Sequence, residues 1–239
     1  MDPLLQFVLQ GPPPSDPSPR KPQMSTRSNT ADNIERHLQS DGHQIWGLVI
    51  YRCTYGSSPD WEEFLRRLQH YDRRMLERFN GLDLLDSLRI TVFDDQSVFD
   101  NASTSFIRDH FKQWAATAPQ QEQGTGPVNA QRYQICIQVN EESLASIISR
   151  PPPEEYPGLY DRGYVNVIYK DWEPEQPDSD DSDEFDEEPW EPLEECTLYE
   201  VGWMRVRYSS GMVGMYYYLR DPVVSWDGEY RRPPEIVEF

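Results

Sequence analysis

"IWGLVIYRCTYG", residues 45–56, carries the reading on which the fold depends. Ile45, Val49, Ile50 and Tyr51 are β-formers, and successive strand side chains point to opposite faces. Both faces are apolar through the first half, which predicts a central strand over 44–54 covered on both sides. The polar end, Arg52 to Tyr55, is either the rim of a pocket or the point where a buried strand surfaces and turns. Gly56-Ser57-Ser58-Pro59 follows as a turn into a helix, so the second account is favoured.

That helix is predicted from Ser58 as N-cap, with Pro59 at its first position, to Asn80-Gly81. Trp61, Phe64, Leu65, Leu68, Tyr71, Met75 and Phe79 share one stripe, and Glu62→Arg66 and Glu63→Arg67 stand in the favourable i,i+4 order. "SLRITVF" (87–93) alternates as a strand with one buried face. A short helix is expected from Ser103, with Phe106, Ile107, His110, Phe111 and Trp114 on its apolar side. "RYQICIQV" (132–139) is a third strand, followed by a helix capped by Asn140 and stopped at Pro151–Pro153. "GYVNVIYK" (163–170) is a fourth strand. "LYEVGWMRVRY" and "MVGMYYYL" flank Ser209-Ser210-Gly211 in the manner of a β-hairpin.

The order predicts an α+β protein: a ferredoxin-like βαββαβ core with a helical insert and a C-terminal β-hairpin. A doubly wound sheet is disfavoured, because the segment between the second and third strands does not read as a compact crossover. Residues 1–40 are expected to be a disordered N-terminal segment, since most of that stretch is rich in Pro, Ser, Thr, Asn and Arg. Residues 41–239 are expected to be a single α+β domain with a flexible insert at 117–130 and an acidic disordered insert at 171–196.

Net charge is −20, but residues 171–196 hold fourteen Asp or Glu and no Lys or Arg. Outside them 28 acidic residues stand against 22 basic ones, so the acidity belongs to one segment. It argues against nucleic-acid binding, which needs a basic surface, and leaves a basic protein partner open. Three cysteines give no paired framework, which suits a reducing compartment. The apolar run near the N-terminus is too short for a signal segment, and no stretch approaches a membrane span. A cytoplasmic or nuclear, non-secreted protein without membrane attachment is expected.

Candidate chemistry is sparse. Cys53 has no base near it in sequence, and Arg52 points to the opposite strand face, so a buried thiol is favoured over a nucleophile. Asp94, Asp95 and Asp100, with His110 beyond, lack hard-metal ligand spacing, and a solvated loop favouring a helix N-terminus explains them. The acidic segment has no Gly and four prolines between Asp171 and Glu195, which excludes an EF-hand. Trp172, Phe185 and Trp190 punctuate it as aromatic residues of a docking element would, although a solvated loop accounts for the charge. Ser179 and Ser182 lie in acidic context as phosphorylation candidates. No phosphate-loop, dinucleotide, zincin or hydrolase motif is present, so neither a cofactor nor a metal is implied.

The blocks "IWGLVIYRCTYGSSPDWEEFLRRL", "DNASTSFIRDHFKQW", "RYQICIQVNEESLASI", "GYVNVIYKDW", "VGWMRVRYSS" and "EYRRPPEIV" together resemble a large family of proteins from filamentous ascomycete fungi. The resemblance covers about 43–237 and keeps the block order. It implies a fungal intracellular protein of an expanded family for which no activity is established, and no catalytic residue is carried over.

Two functions are thus expected as rivals. The first is a non-enzymatic interaction module whose acidic arm, with Trp172, Phe185 and Trp190, engages a basic partner. The second is a small-molecule binder or enzyme with a core pocket bearing Arg52, Tyr55 and Asp95, for which the aromatic residues Trp46, Tyr51, Trp203, Tyr216, Tyr217 and Tyr218 would be suited.

Overall fold

The computed structural model describes residues 29–126, 130–155, 162–174, 190–220 and 222–239. In chain order its elements are α1 (Thr30–Asp41), β1 (Val49–Arg52), α2 (Ser58–Arg78), β2 (Thr91–Phe93), α3 (Gln96–Phe99), α4 (Thr104–Ala115) and α5 (Ala118–Gln123). They continue as β3 (Ile135–Val139), α6 (Glu141–Ile148), β4 (Tyr164–Tyr169), β5 (Trp203–Arg207), α7 (Gly211–Tyr218), α8 (Pro222–Glu229) and β6 (Ile236–Val237).

All four residues of β1 are buried, as the two-sided apolar run requires. Leu48 and Ile50 join one core with Trp61, Phe64 and Leu68 of α2. Val49 and Tyr51 join a second core with Ile107 and Phe111 of α4. One mixed sheet lies between these layers, in the order β2-β1-β3-β4-β5-β6. β1 is parallel to both β2 and β3, β4 is antiparallel to β3 and β5, and β6 is parallel to β5.

The mixed α/β class agrees with the expectation, but the ferredoxin-like arrangement does not. The expected insert is the crossover from β2 to β3, and α4 packs on the sheet face opposite α2. The β2-β1-β3 portion is therefore parallel and covered on both sides, as in doubly wound folds. The alternation of Ile107 and Phe111 with polar neighbours already held this packing face.

The expected C-terminal hairpin is also replaced. β5 pairs with β4 instead, and residues 211–218 form α7. Positions 211–216 are all buried, so no helical periodicity is visible in "GMVGMYYY". Asp72 of α2 caps this helix in trans, its Oδ1 accepting from Met212 N (2.6 Å) and Val213 N (3.3 Å). Gly211 has φ 61°, and a Cβ there would lie 2.4 Å from that oxygen, so the cap requires glycine.

Two segments expected to lack structure contain helices. α1 begins with a capping box between Asn29 and Asp32, and Ala31, Ile34 and Leu38 bury one face. Asn29 Nδ2 also donates to Phe79 O at the end of α2 (2.9 Å). Three apolar residues at helical spacing suffice once α7 lies beside them. Within 117–130, α5 supplies Glu122 to Arg132, which is 1% exposed. Arg132 donates to both Glu122 oxygens (2.8 Å each), to Gly47 O (3.2 Å), Arg89 O (2.8 Å) and Thr91 Oγ1 (2.7 Å). This one guanidinium joins the entry ends of the parallel strands.

Candidate functional site

Crevices at the carboxyl ends of parallel strands are common ligand sites, and Arg52 and Tyr55 lie there. Arg52 is 7% exposed and each of its three nitrogens already donates a hydrogen bond. Nε donates to Thr54 O (3.0 Å), Nη1 to Asp94 (3.3 Å) and Nη2 to Ser58 Oγ (3.4 Å). Its guanidinium also lies 4.5 Å from the Tyr55 ring centre and 5.2 Å from that of Trp61. Burial, and then the neighbouring Asp94 carboxylate, push the Tyr55 hydroxyl above its ordinary range. The structure thus brings Arg52 and Tyr55 together with Asp94 as a clasp on the β1–α2 turn. Asp95 stands apart as the N-cap of α3, accepting from Ser97 N (2.9 Å) and Ser97 Oγ (2.7 Å). Helix α2 itself is capped by Ser57, one residue before the expected position.

Cys53 is buried in the second core, and burial pushes its thiol up to about 12. A thiol held neutral in this way is not a nucleophile at neutral pH. His110 is hydrogen-bonded through Nδ1 to Tyr51 Oη (2.9 Å) and ringed by Tyr51, Phe93 and Phe99, away from the aspartates. Among the described residues no group of three or more His, Cys, Asp or Glu could hold a metal ion, and no helix is long and apolar enough to cross a membrane.

The two ends of the acidic segment are built with greater care. Trp172 lies over the Arg108 guanidinium, 4.7 Å from ring centre to carbon. Arg108 itself donates to Tyr169 O (3.1 Å), Val201 O (3.2 Å) and Gly202 O (3.1 Å). On the return side, Trp190 lies 5.8 Å from Arg232, which donates to the carbonyls of Glu191 (2.6 Å), Tyr199 (3.1 Å) and Leu198. The Glu194 carboxylate accepts from Thr104 N (3.1 Å) at the N-terminus of α4, a position that favours negative charge. Residues 171–174 and 190–196 are therefore structured parts of the domain rather than a disordered insert. Phe185, Ser179 and Ser182 lie outside the described residues.

Sequence reasoning missed Arg108 and Arg232. Arg108 stands between Ile107 and Phe111 on a buried helix side, where a charge is ordinarily solvated, and only the unsatisfied carbonyls around it explain its place. Gly202 is the clearest trace of the arrangement. At φ 71°, a Cβ would meet Trp172 Cδ2 at 2.4 Å and Arg108 Nη2 at 2.5 Å. Gly202→Ala is expected to cost about 2–4 kcal/mol through left-handed strain and overpacking. An unchanged urea midpoint would contradict that packing.

Comparison with protein-family models, with curated proteins and with solved structures found no match.

Proposed function

We propose that the protein is an interaction module in which the α/β domain presents its acidic segment to a basic partner. The observation that supports this reading is the pair of Arg–Trp stacks, Arg108–Trp172 and Arg232–Trp190. They anchor the chain at Trp172 and at Trp190, on either side of a sequence stretch, 175–189, that holds nine acidic residues. Two buried guanidiniums are committed to this task, each satisfied by backbone carbonyls. A field of that sign steers a basic surface and is screened by salt. Trp172 and Trp190 serve here as anchors at the base of the segment. Ser179 and Ser182 add a means of raising its charge further. A small-molecule site at the strand ends has less support, because each Arg52 nitrogen already donates within the β1–α2 turn and Asp95 caps its own helix.

The test compares the intact chain with one in which 175–189 is replaced by a Gly/Ser stretch of equal length. A partner captured with the intact chain is expected to be lost with the replacement, and its affinity to fall as ionic strength rises. Equal affinity for both chains, or no dependence on salt, sinks the proposal.

A further inference from the structure

A basic stripe lies on the sheet face that α2 covers, opposite α4. The groove between α2 and residues 85–90, the segment that leads into β2, has a volume of about 610 Å3, and Arg66, His70, Arg73, Leu88, Arg89 and Ile90 are among its lining. Arg66, His70 and Arg73 recur at helical spacing, so one wall is a basic stripe on a chain of net charge −20. Among the described residues β2 ends the sheet on this side. Arg89 N donates to Trp46 O (2.8 Å) and Arg89 O accepts from Arg132, so Arg89 turns its backbone groups toward β1. By the alternation of a strand, Ile90 and Val92 turn theirs outward. Leu88 also bridges to Trp46, which lengthens the extended stretch to 88–93.

One carboxylate already shows how the groove receives an anion. Glu154, from the proline-rich loop, lies 2.5 Å and 3.2 Å from the two Arg66 terminal nitrogens and 3.3 Å from His70 Nδ1. Arg66 also holds Glu63 (2.7 Å), and Arg73 stands 3.5 Å from Glu77. Among the described residues Arg89 forms no ion pair; its guanidinium lies on the carbonyls of Leu88 (3.2 Å) and Asp86 (3.5 Å). The positive charge is thus partly compensated at the Arg66 end and least compensated toward Arg89.

We infer that this groove binds an extended acidic peptide of a partner protein, added as a further strand on the outer edge of β2. Main-chain hydrogen bonds to Ile90 and Val92 supply affinity, and carboxylates reaching Arg73 and Arg89 supply selectivity. Leu88 and Ile90 receive the apolar residues between those carboxylates. The inference is independent of the acidic segment's own role.

The test is fluorescence anisotropy of the full chain with a labelled peptide alternating Glu and Val, and with its Lys/Val counterpart. The Glu/Val peptide is expected to bind saturably and the Lys/Val peptide not to. Arg73→Glu with Arg89→Glu is expected to weaken binding by about tenfold or more. Both residues are exposed, so the melting temperature should hold and report an intact fold. N-methylation of alternate peptide nitrogens should abolish binding in one register, which a merely electrostatic contact would not. Absence of saturable binding, equal binding of the two peptides, or indifference to the charge reversal would overturn the inference. Binding that appears only after 175–189 is replaced by Gly/Ser would overturn a partner peptide in favour of the chain's own acidic segment.

Discussion

Arg132→Ala is expected to lower the unfolding free energy by about 3–5 kcal/mol, because it leaves a partly buried carboxylate and several carbonyls without their donor. Glu122 loses both its hydrogen bonds from the guanidinium, and Gly47 O, Arg89 O and Thr91 Oγ1 lose theirs. Tyr133 Oη, which donates to the same Glu122 (2.9 Å), cannot replace two charged donors. A double variant, Arg132→Met with Glu122→Gln, should recover part of the loss by removing the stranded charge along with its partner. Urea unfolding of the single and double variants measures both quantities. A single variant within about 1 kcal/mol of the parent would show that the three strand ends do not depend on this ion pair.

The second large effect concerns Asp72, which lies fully buried under the start of α7. Burial raises its carboxyl from 3.8 to about 7, against the lowering effect of the two backbone donors of α7. The folded state therefore keeps a proton that the unfolded chain releases near pH 4. Between about pH 4 and pH 7 the folded state binds more protons, so stability falls as pH rises through that window. The full displacement corresponds to roughly 4 kcal/mol. Glu63, held down to about 2 mainly by Arg66, acts in the opposite sense, contributing stability above its unfolded value that is lost on acidification. The difference between parent and Asp72→Asn isolates the buried group, since asparagine keeps an oxygen for Met212 and Val213 but does not titrate. The parent should lose stability relative to the variant from pH 4 to pH 7. Parallel curves would show that Asp72 titrates at an ordinary value.

What could be read in the sequence follows from how a residue is exposed. β1, α2, α6 and β4 were legible because a buried face alternates with a solvated one, or because two buried faces leave an unbroken apolar run. Helix α7 gave no such contrast, being buried on every side through its first six positions, so its tyrosines and glycines resembled a strand. α1 erred in the other direction: its three buried residues, Ala31, Ile34 and Leu38, lie among polar ones in a region where Pro and Ser dominate. The topology departs from the expected one at the C-terminal hairpin and at the crossover through α3 to α5, whose glutamine-rich end conceals Glu122. At the strand ends Arg52 lies over the Tyr55 ring, and Asp94 rather than Asp95 is the carboxylate beside them. The Arg–Trp stacks were half visible. Trp172 and Trp190 stand out in an acidic run, but their cationic partners lie 64 positions earlier and 42 later in the chain.

Those stacks have a consequence for how the chain can vary. The connection from β4 to β5 is held at both described ends, and each hold is a guanidinium bound on one side to main-chain carbonyls and on the other to an indole. Replacing Arg108 or Arg232 would strand those carbonyls as well as release a tryptophan, and a side chain at position 202 would collide with Trp172. Arg108, Gly202 and Arg232 therefore have little room to change.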